Sequence, residues 1–72
     1  MGRLDLGRRE TMSEWRAEVL KRLKERDRSI AQMARAIYYE PKYIYEVLRM
    51  DNPPERVMHA INVYVGLEEV NR

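Results

Sequence analysis

The stretch that most constrains this chain is Ser29 to Met50, SIAQMARAIYYEPKYIYEVLRM. At helical period it separates into two short amphipathic pieces. Ile30, Met33, Ala34 and Ile37 share a face of the first piece, and Ile44, Val47 and Leu48 share a face of the second. Pro41 sets the break between them. At a first helical position a proline loses nothing by lacking an N–H, and its ring pushes Glu40 out of the α region. Ser29 offers a side-chain oxygen to the bare amides that open the first piece. Tyr38-Tyr39-Glu40 is left as the turn. Two helices of this length across so short a turn have the outline of a helix-turn-helix.

The flanks supply the rest of a helical domain. Thr11-Met12-Ser13-Glu14 fits a capping box, with Ser13 as the competing cap. A helix over residues 13–26 then carries an apolar stripe of Trp15, Val19, Leu20 and Leu23, with Glu18 one turn before Arg22. Lys21, Arg22, Lys24 and Arg26 crowd its last turns, where cations suit both the helix dipole and an anionic partner. Asp51-Asn52-Pro53-Pro54 is the strongest breaker in the chain. It precedes a helix over residues 54–65 with Pro54 in its first turn and Val57, Ala60, Ile61, Tyr64 and Val65 inward. Gly66 is the expected closing residue. The tail LEEVNR adds at most a loose turn, with Leu67 or Val70 closing the core. Residues 1–11, with Arg3, Arg8, Arg9 and two glycines, read as a flexible basic arm ahead of a domain over residues 12–72. Such an arm is usually a solvated tail, and its functional use is contact with a nucleic-acid backbone or minor groove. The helices expected are therefore 13–26, 30–37, 41–50 and 54–65, in one compact all-α domain of four to five helices.

Composition narrows the function. Seventy-two residues provide one core, and a core of that size is marginal without some further support. The chain has no cysteine, which removes disulfides, thiolate nucleophiles and thiolate metal sites and suits a reducing cytoplasm. No apolar run approaches the roughly 20 residues of a membrane span, so no membrane association is expected. The opening MGRLDLGRRE lacks the apolar centre of a secretory signal, and Leu6 stands where a myristoylation motif requires Ser or Thr. His59 is the only histidine, which leaves a zinc site without ligands and places that side chain on a helix surface. Ser13 and Ser29 are the only serines, both accounted for as caps, and no glycine-rich phosphate loop exists. Met12, Met33, Met50 and Met58 suit core filling or an interface. No enzyme activity, metal or cofactor is expected. Charge is uneven along the chain: residues 14–28 carry net +2 and residues 51–72 carry net −2, within an overall +2. An anionic partner on the basic side fits that asymmetry.

With these residues in view, positions 14–67 resemble the λ-repressor-like (Xre/Cro type) helix-turn-helix domain. The resemblance is carried by Ser29, Met33-Ala34, Ile37, the turn, Tyr43-Ile44 and Val47. Leu20 and Leu23 resemble the family's first-helix core, and Pro54 through Gly66 its fourth helix. Three departures stand out. Tyr38 occupies the turn position where the family often has glycine, so it must take a left-handed conformation or the turn must change shape. Glu40 replaces the usual Ser or Thr cap, and the loop before residue 29 is one residue longer, with Arg28 where an apolar residue often sits.

The resemblance implies a small sequence-specific DNA-binding transcriptional regulator of phage or mobile-element type, acting in the bacterial cytoplasm or an infected host. Its recognition helix, 41–50, would enter the major groove. Base contacts then fall on Pro41, Lys42, Tyr45, Glu46 and Arg49, and phosphate contacts on Arg26, Arg28, Ser29, Gln32, Arg35 and Tyr39. Of the four tyrosines at 38, 39, 43 and 45, two are expected at the edge of the core, Tyr43 foremost. One helix reads too few bases for tight specificity, so a homodimer on half-sites about 34 Å apart is expected. Met58, Val63, Tyr64 and Val70 exceed what one small core can hold and form the expected dimer interface. A different class of function uses the same fold as a protein-binding module, an antirepressor or modulator. For that role the tyrosines of the second piece, with Glu40 and Glu46, would meet a protein partner.

Overall fold

Helix boundaries in this chain follow its capping residues and prolines. The computed structural model describes the backbone of residues 10–68 and side chains from Glu14 onward. Four helices appear, α1 (Glu10–Glu25), α2 (Ile30–Ala36), α3 (Pro41–Val47) and α4 (Glu55–Val65), and no strand among the described residues. α2 packs on α3 and α1 packs on α4, within 33 × 26 × 23 Å.

Ser29 caps α2 as expected. Its hydroxyl oxygen accepts from the Gln32 amide at 3.0 Å, and Gln32 Oε1 accepts from the Ser29 amide at 2.7 Å. The reciprocal pair satisfies two amides that a helix start otherwise leaves bare. Pro41 opens α3 behind an extended Glu40, whose carboxylate makes no capping bond.

Three helices end in the same way, and only one of them uses glycine. At the end of α4, Gly66 takes φ 86, its amide donates to Val63 O and the Leu67 amide donates to Asn62 O. The equivalent bonds at the end of α2 run from Tyr38 to Arg35 O and from Tyr39 to Ala34 O, with Tyr38 at φ 66. At the end of α1 they run from Asp27 to Lys24 O and from Arg28 to Leu23 O, with Asp27 at φ 56. This paired 6→1 and 5→2 pattern closes a helix by turning one residue left-handed, and it satisfies carbonyls that would otherwise be unbonded. Tyr38 therefore adopts the left-handed conformation, one of the two outcomes open to it in the turn.

The core joins all four helices. Trp15, Val19 and Leu23 of α1 meet Met33 and Ala34 of α2, Ile44 and Val47 of α3 with the following Leu48, and Val57, Ile61 and Val65 of α4. Ala34 is fully buried in the α2–α3 half, where a small side chain lets the two backbones approach. Trp15 Nε1 donates to Asn62 Oδ1 at 2.6 Å, so the large indole is buried without leaving its polar atom unpaired. Among the described residues, no buried side-chain nitrogen or oxygen lacks a hydrogen bond.

Several expectations are corrected. α1 is already helical at Glu10, so Thr11 and Ser13 lie inside the helix and do not cap it, and the arm expected over residues 1–11 overlaps its first turn. Leu20 is 41 % exposed: it sits one residue, about 100°, round the helix from Val19 and falls beyond the edge of the core. α3 loses its α-helical pattern after Val47, where the Arg49 and Met50 amides donate to carbonyls three residues back, a tighter turn. Pro54 is the cap of α4, in extended conformation, and Glu55 starts the helix. Ala60 and Tyr64 are half-buried; the turns of α4 that reach the centre belong to Val57, Ile61 and Val65. Leu67 packs on the core after Gly66, the apolar contact that accompanies this kind of helix end. Val70 lies outside the described residues.

Candidate nucleic-acid interface

α3 has one face locked in the core and the opposite one open. Ile44, Val47 and Leu48 are buried, while Lys42, Tyr45, Glu46 and Arg49 are exposed. The exposed four recur at helical spacing, so they form one ridge along the helix and its closing turn. Tyr45 is 47 % exposed. Pro41, the fifth base-contact candidate, is half-buried at the start of the helix. The ridge has two cations, Lys42 and Arg49, and Glu46 among them, with exposed Glu40 at its entrance. Its electrostatic balance is close to neutral.

The tyrosines divide two and two. Tyr39 and Tyr43 are half-buried against the core with ring centroids 5.6 Å apart and planes tilted by 35°. Tyr45 points outward, and Tyr38 is 93 % exposed. Tyr39, read from sequence as a phosphate contact, thus has its ring committed to packing, which leaves the hydroxyl as its polar handle.

Three of the other phosphate candidates, Arg28, Ser29 and Gln32, cluster where α1 ends and α2 begins. A shallow groove of about 490 Å³ there is lined by Leu20, Lys24, Arg28, Ser29 and Gln32 among others. Ser29 and Gln32 already use an oxygen each on the cap, so the Gln32 amide nitrogen and the Ser29 hydroxyl proton are what they can offer a phosphate. Arg28 Nη1 donates to the Tyr64 hydroxyl at 3.0 Å. Arg26 is exposed but turned toward the end of α4, its Nη1 3.5 Å from Arg22 O and its Nη2 beside Gly66, and Arg35 is exposed at the far end of α2.

The cations of α1 do two jobs, which sequence reasoning did not separate. Arg22 pairs with Glu18 at 2.8 Å, as the i,i+4 spacing predicts. It also reaches the Val65 and Gly66 carbonyls at the end of α4, each at 3.4 Å. Arg16 Nε donates to Leu48 O at 2.6 Å, at the end of α3. These two arginines close helix ends and so are tied to the domain itself. Lys21 and Lys24 are exposed, and Lys24, read from sequence as one of a basic cluster and not as an individual contact, joins the groove. No sequence signal marks Arg16, because its acceptor is a backbone carbonyl 32 residues away.

Away from the ridge, Glu68 accepts from Asn62 Nδ2 at 2.9 Å and lies 2.7 Å from His59 Nδ1. The bond from Asn62, then that from His59, hold its carboxyl below the ordinary glutamate range. The hydrogen bond from Arg22 does the same for Glu18. His59 is exposed on α4, as expected. The expected dimer residues on α4 are largely turned to this chain's own core: Met58 and Tyr64 pack against it and Val63 is half-buried. Among the described residues, no helix is long and apolar enough to cross a membrane. No protein-family model, curated protein or solved structure matches the chain.

Proposed function

We propose that this protein is a small sequence-specific DNA-binding regulator of λ-repressor-like helix-turn-helix type, with α3 entering the major groove. The observation that carries the reading is the outward ridge of α3. Lys42, Tyr45, Glu46 and Arg49 project from a helix whose other face is fixed by Ile44 and Val47. Side chains of these types at this spacing are suited to base edges: Lys42 and Arg49 to guanine, Glu46 to a cytosine amino group, Tyr45 to a thymine methyl. The Ser29 cap, buried Ala34, left-handed Tyr38 and Pro41 support the finer fold assignment. Phosphate contacts fall to the groove at the start of α2, where Lys24, Arg28, Ser29 and Gln32 meet. A dimer on two half-sites supplies the specificity that one ridge lacks. No catalysis, metal or cofactor belongs to this role.

A second reading has its own support. Tyr38 and Tyr45 are the exposed aromatic side chains, and the exposed carboxylates Glu40 and Glu46 lie near them in sequence. That combination also suits a protein partner, for which tyrosines serve as anchors. Binding of the chain to random-sequence duplex across a salt titration separates the two. Phosphate-mediated binding loses affinity steeply with salt, and each phosphate cation removed lowers the slope by about 1. On a site selected by the wild-type chain from a random-sequence pool, Lys42→Ala and Arg49→Ala each weaken binding by about 1–3 kcal/mol without changing helix content. No binding at low salt refutes the DNA reading in favour of the protein-binding one.

A further inference from the structure

The two ends of α3 are held differently. Its start relies on Pro41 and has no side-chain cap, whereas its end is gripped from another helix. The Leu48 carbonyl is among those that a helix terminus leaves without an intrahelical donor. Arg16, half-buried on α1, donates to it at 2.6 Å. The bond is charge-assisted, and it places a cation at the negative end of the α3 dipole. The preceding residue, Trp15, is bonded to Asn62 of α4, so Arg16 springs from a part of α1 that is itself anchored. The peptide unit that carries the Leu48 carbonyl also carries the Arg49 nitrogen, and that unit is planar and rigid. A hold on the carbonyl therefore orients the backbone from which Arg49 projects.

We infer that Arg16 is a positioning residue for α3. By fixing the Leu48–Arg49 peptide against α1, it sets how Arg49 and the ridge behind it meet DNA. The inference rests on the DNA-binding reading above. No sequence signal marks Arg16 for this role. Its guanidinium is bonded to the Leu48 carbonyl, so its influence on the ridge runs through a neighbour's backbone.

The test compares Arg16→Met with Arg22→Met. Both remove one arginine from α1 and one set of bonds to carbonyls at a helix end, but Arg22 serves α4. Two quantities are read: affinity at low salt for a duplex selected by the wild-type chain from a random-sequence pool, and amide hydrogen exchange at Arg49 and Met50. For Arg16→Met, both affinity and protection at these amides fall about tenfold while helix content is retained, the size expected for one lost charge-assisted bond. Arg16→Lys recovers part of both. Arg22→Met shows only the smaller affinity loss due to one charge and leaves exchange at Arg49 and Met50 unchanged. Equal affinity losses in the two methionine variants, or unchanged exchange in Arg16→Met, overturn the inference. If the wild-type chain binds no duplex, the DNA reading fails, and the exchange measurement alone decides whether Arg16 holds α3.

Discussion

Replacing Tyr38 by glycine should make this domain more stable, an unusual outcome for deleting an aromatic side chain. Tyr38 sits at φ 66, where an L-residue brings its Cβ too close to the following carbonyl at a cost of about 1–2 kcal/mol. The ring returns little, since the residue is 93 % exposed. Glycine removes the strain but gives the unfolded chain more freedom, which offsets about 0.4–1 kcal/mol. The net is a gain of about 0.5–1 kcal/mol, or roughly 3–6 °C in Tm for a domain of this size. Tyr38→Ala is the control: it deletes the ring but keeps the Cβ, so it should stay within about 0.5 kcal/mol of the wild type. Gly66→Ala is the converse. At φ 86, with a new Cβ 3.2 Å from Arg26 Nη2, it should lose about 1–2 kcal/mol. Asp27→Gly should gain less than Tyr38→Gly, because aspartate tolerates the left-handed region better. Urea and thermal denaturation followed by far-UV circular dichroism give the ranking. A Tyr38→Gly variant no more stable than Tyr38→Ala would refute the claim that backbone strain, rather than the ring, dominates at this position.

Other expectations concern the cap, the core and the acid limb. Ser29→Ala should cost about 1 kcal/mol, because the Gln32 amide loses its acceptor; a cost near zero in the same denaturation series would mean that water replaces the cap. Ile61→Ala, at a fully buried position in α4, should cost about 2–5 kcal/mol, a large share of what a small domain possesses. The folded Glu68 carboxyl ionises more readily than an ordinary glutamate, so the unfolded chain binds more protons in the acid range and stability rises with pH there. Its contribution is complete above the unfolded value and is lost as pH falls through the lower folded value. Glu68→Gln should therefore flatten the dependence of Tm on pH along that limb, and an unchanged slope would remove Glu68 from the account.

The local elements were legible because their causes are local. Ser29 before an apolar face, proline at position 41, a Glu18–Arg22 spacing and glycine at position 66 each act within a turn or two of themselves. The same locality explains the misplaced boundaries. A capping box read at Thr11 competes with continuing a helix, and the structure continues it to Glu10. Apolar type alone put Leu20 in the core, whereas the width of the buried stripe excludes it. The ridge of α3 was readable as a list of residues, since helical period separates it from Ile44 and Val47. Its partition of tyrosines was readable as a number and as Tyr43 by name; that Tyr39 is the one that joins Tyr43 while Tyr38 and Tyr45 face out depends on where α2 and α3 cross.

What the sequence determined by itself is an all-helical chain with its breaks at the loop before Ser29, at Pro41 and at the Pro53-Pro54 pair. Periodicity and backbone restriction are properties of neighbouring residues, so they survive without tertiary context. What only the tertiary structure decided is the use of the charges. Arg16 and Arg22 look like any other cations on α1, yet they close the ends of α3 and α4. Trp15 of α1 is bonded to Asn62 of α4, 47 residues on, and Asn62 in turn shares Glu68 with His59. A hydrogen-bond partner that distant is set by the packing of helices, and no pattern within one helix encodes it.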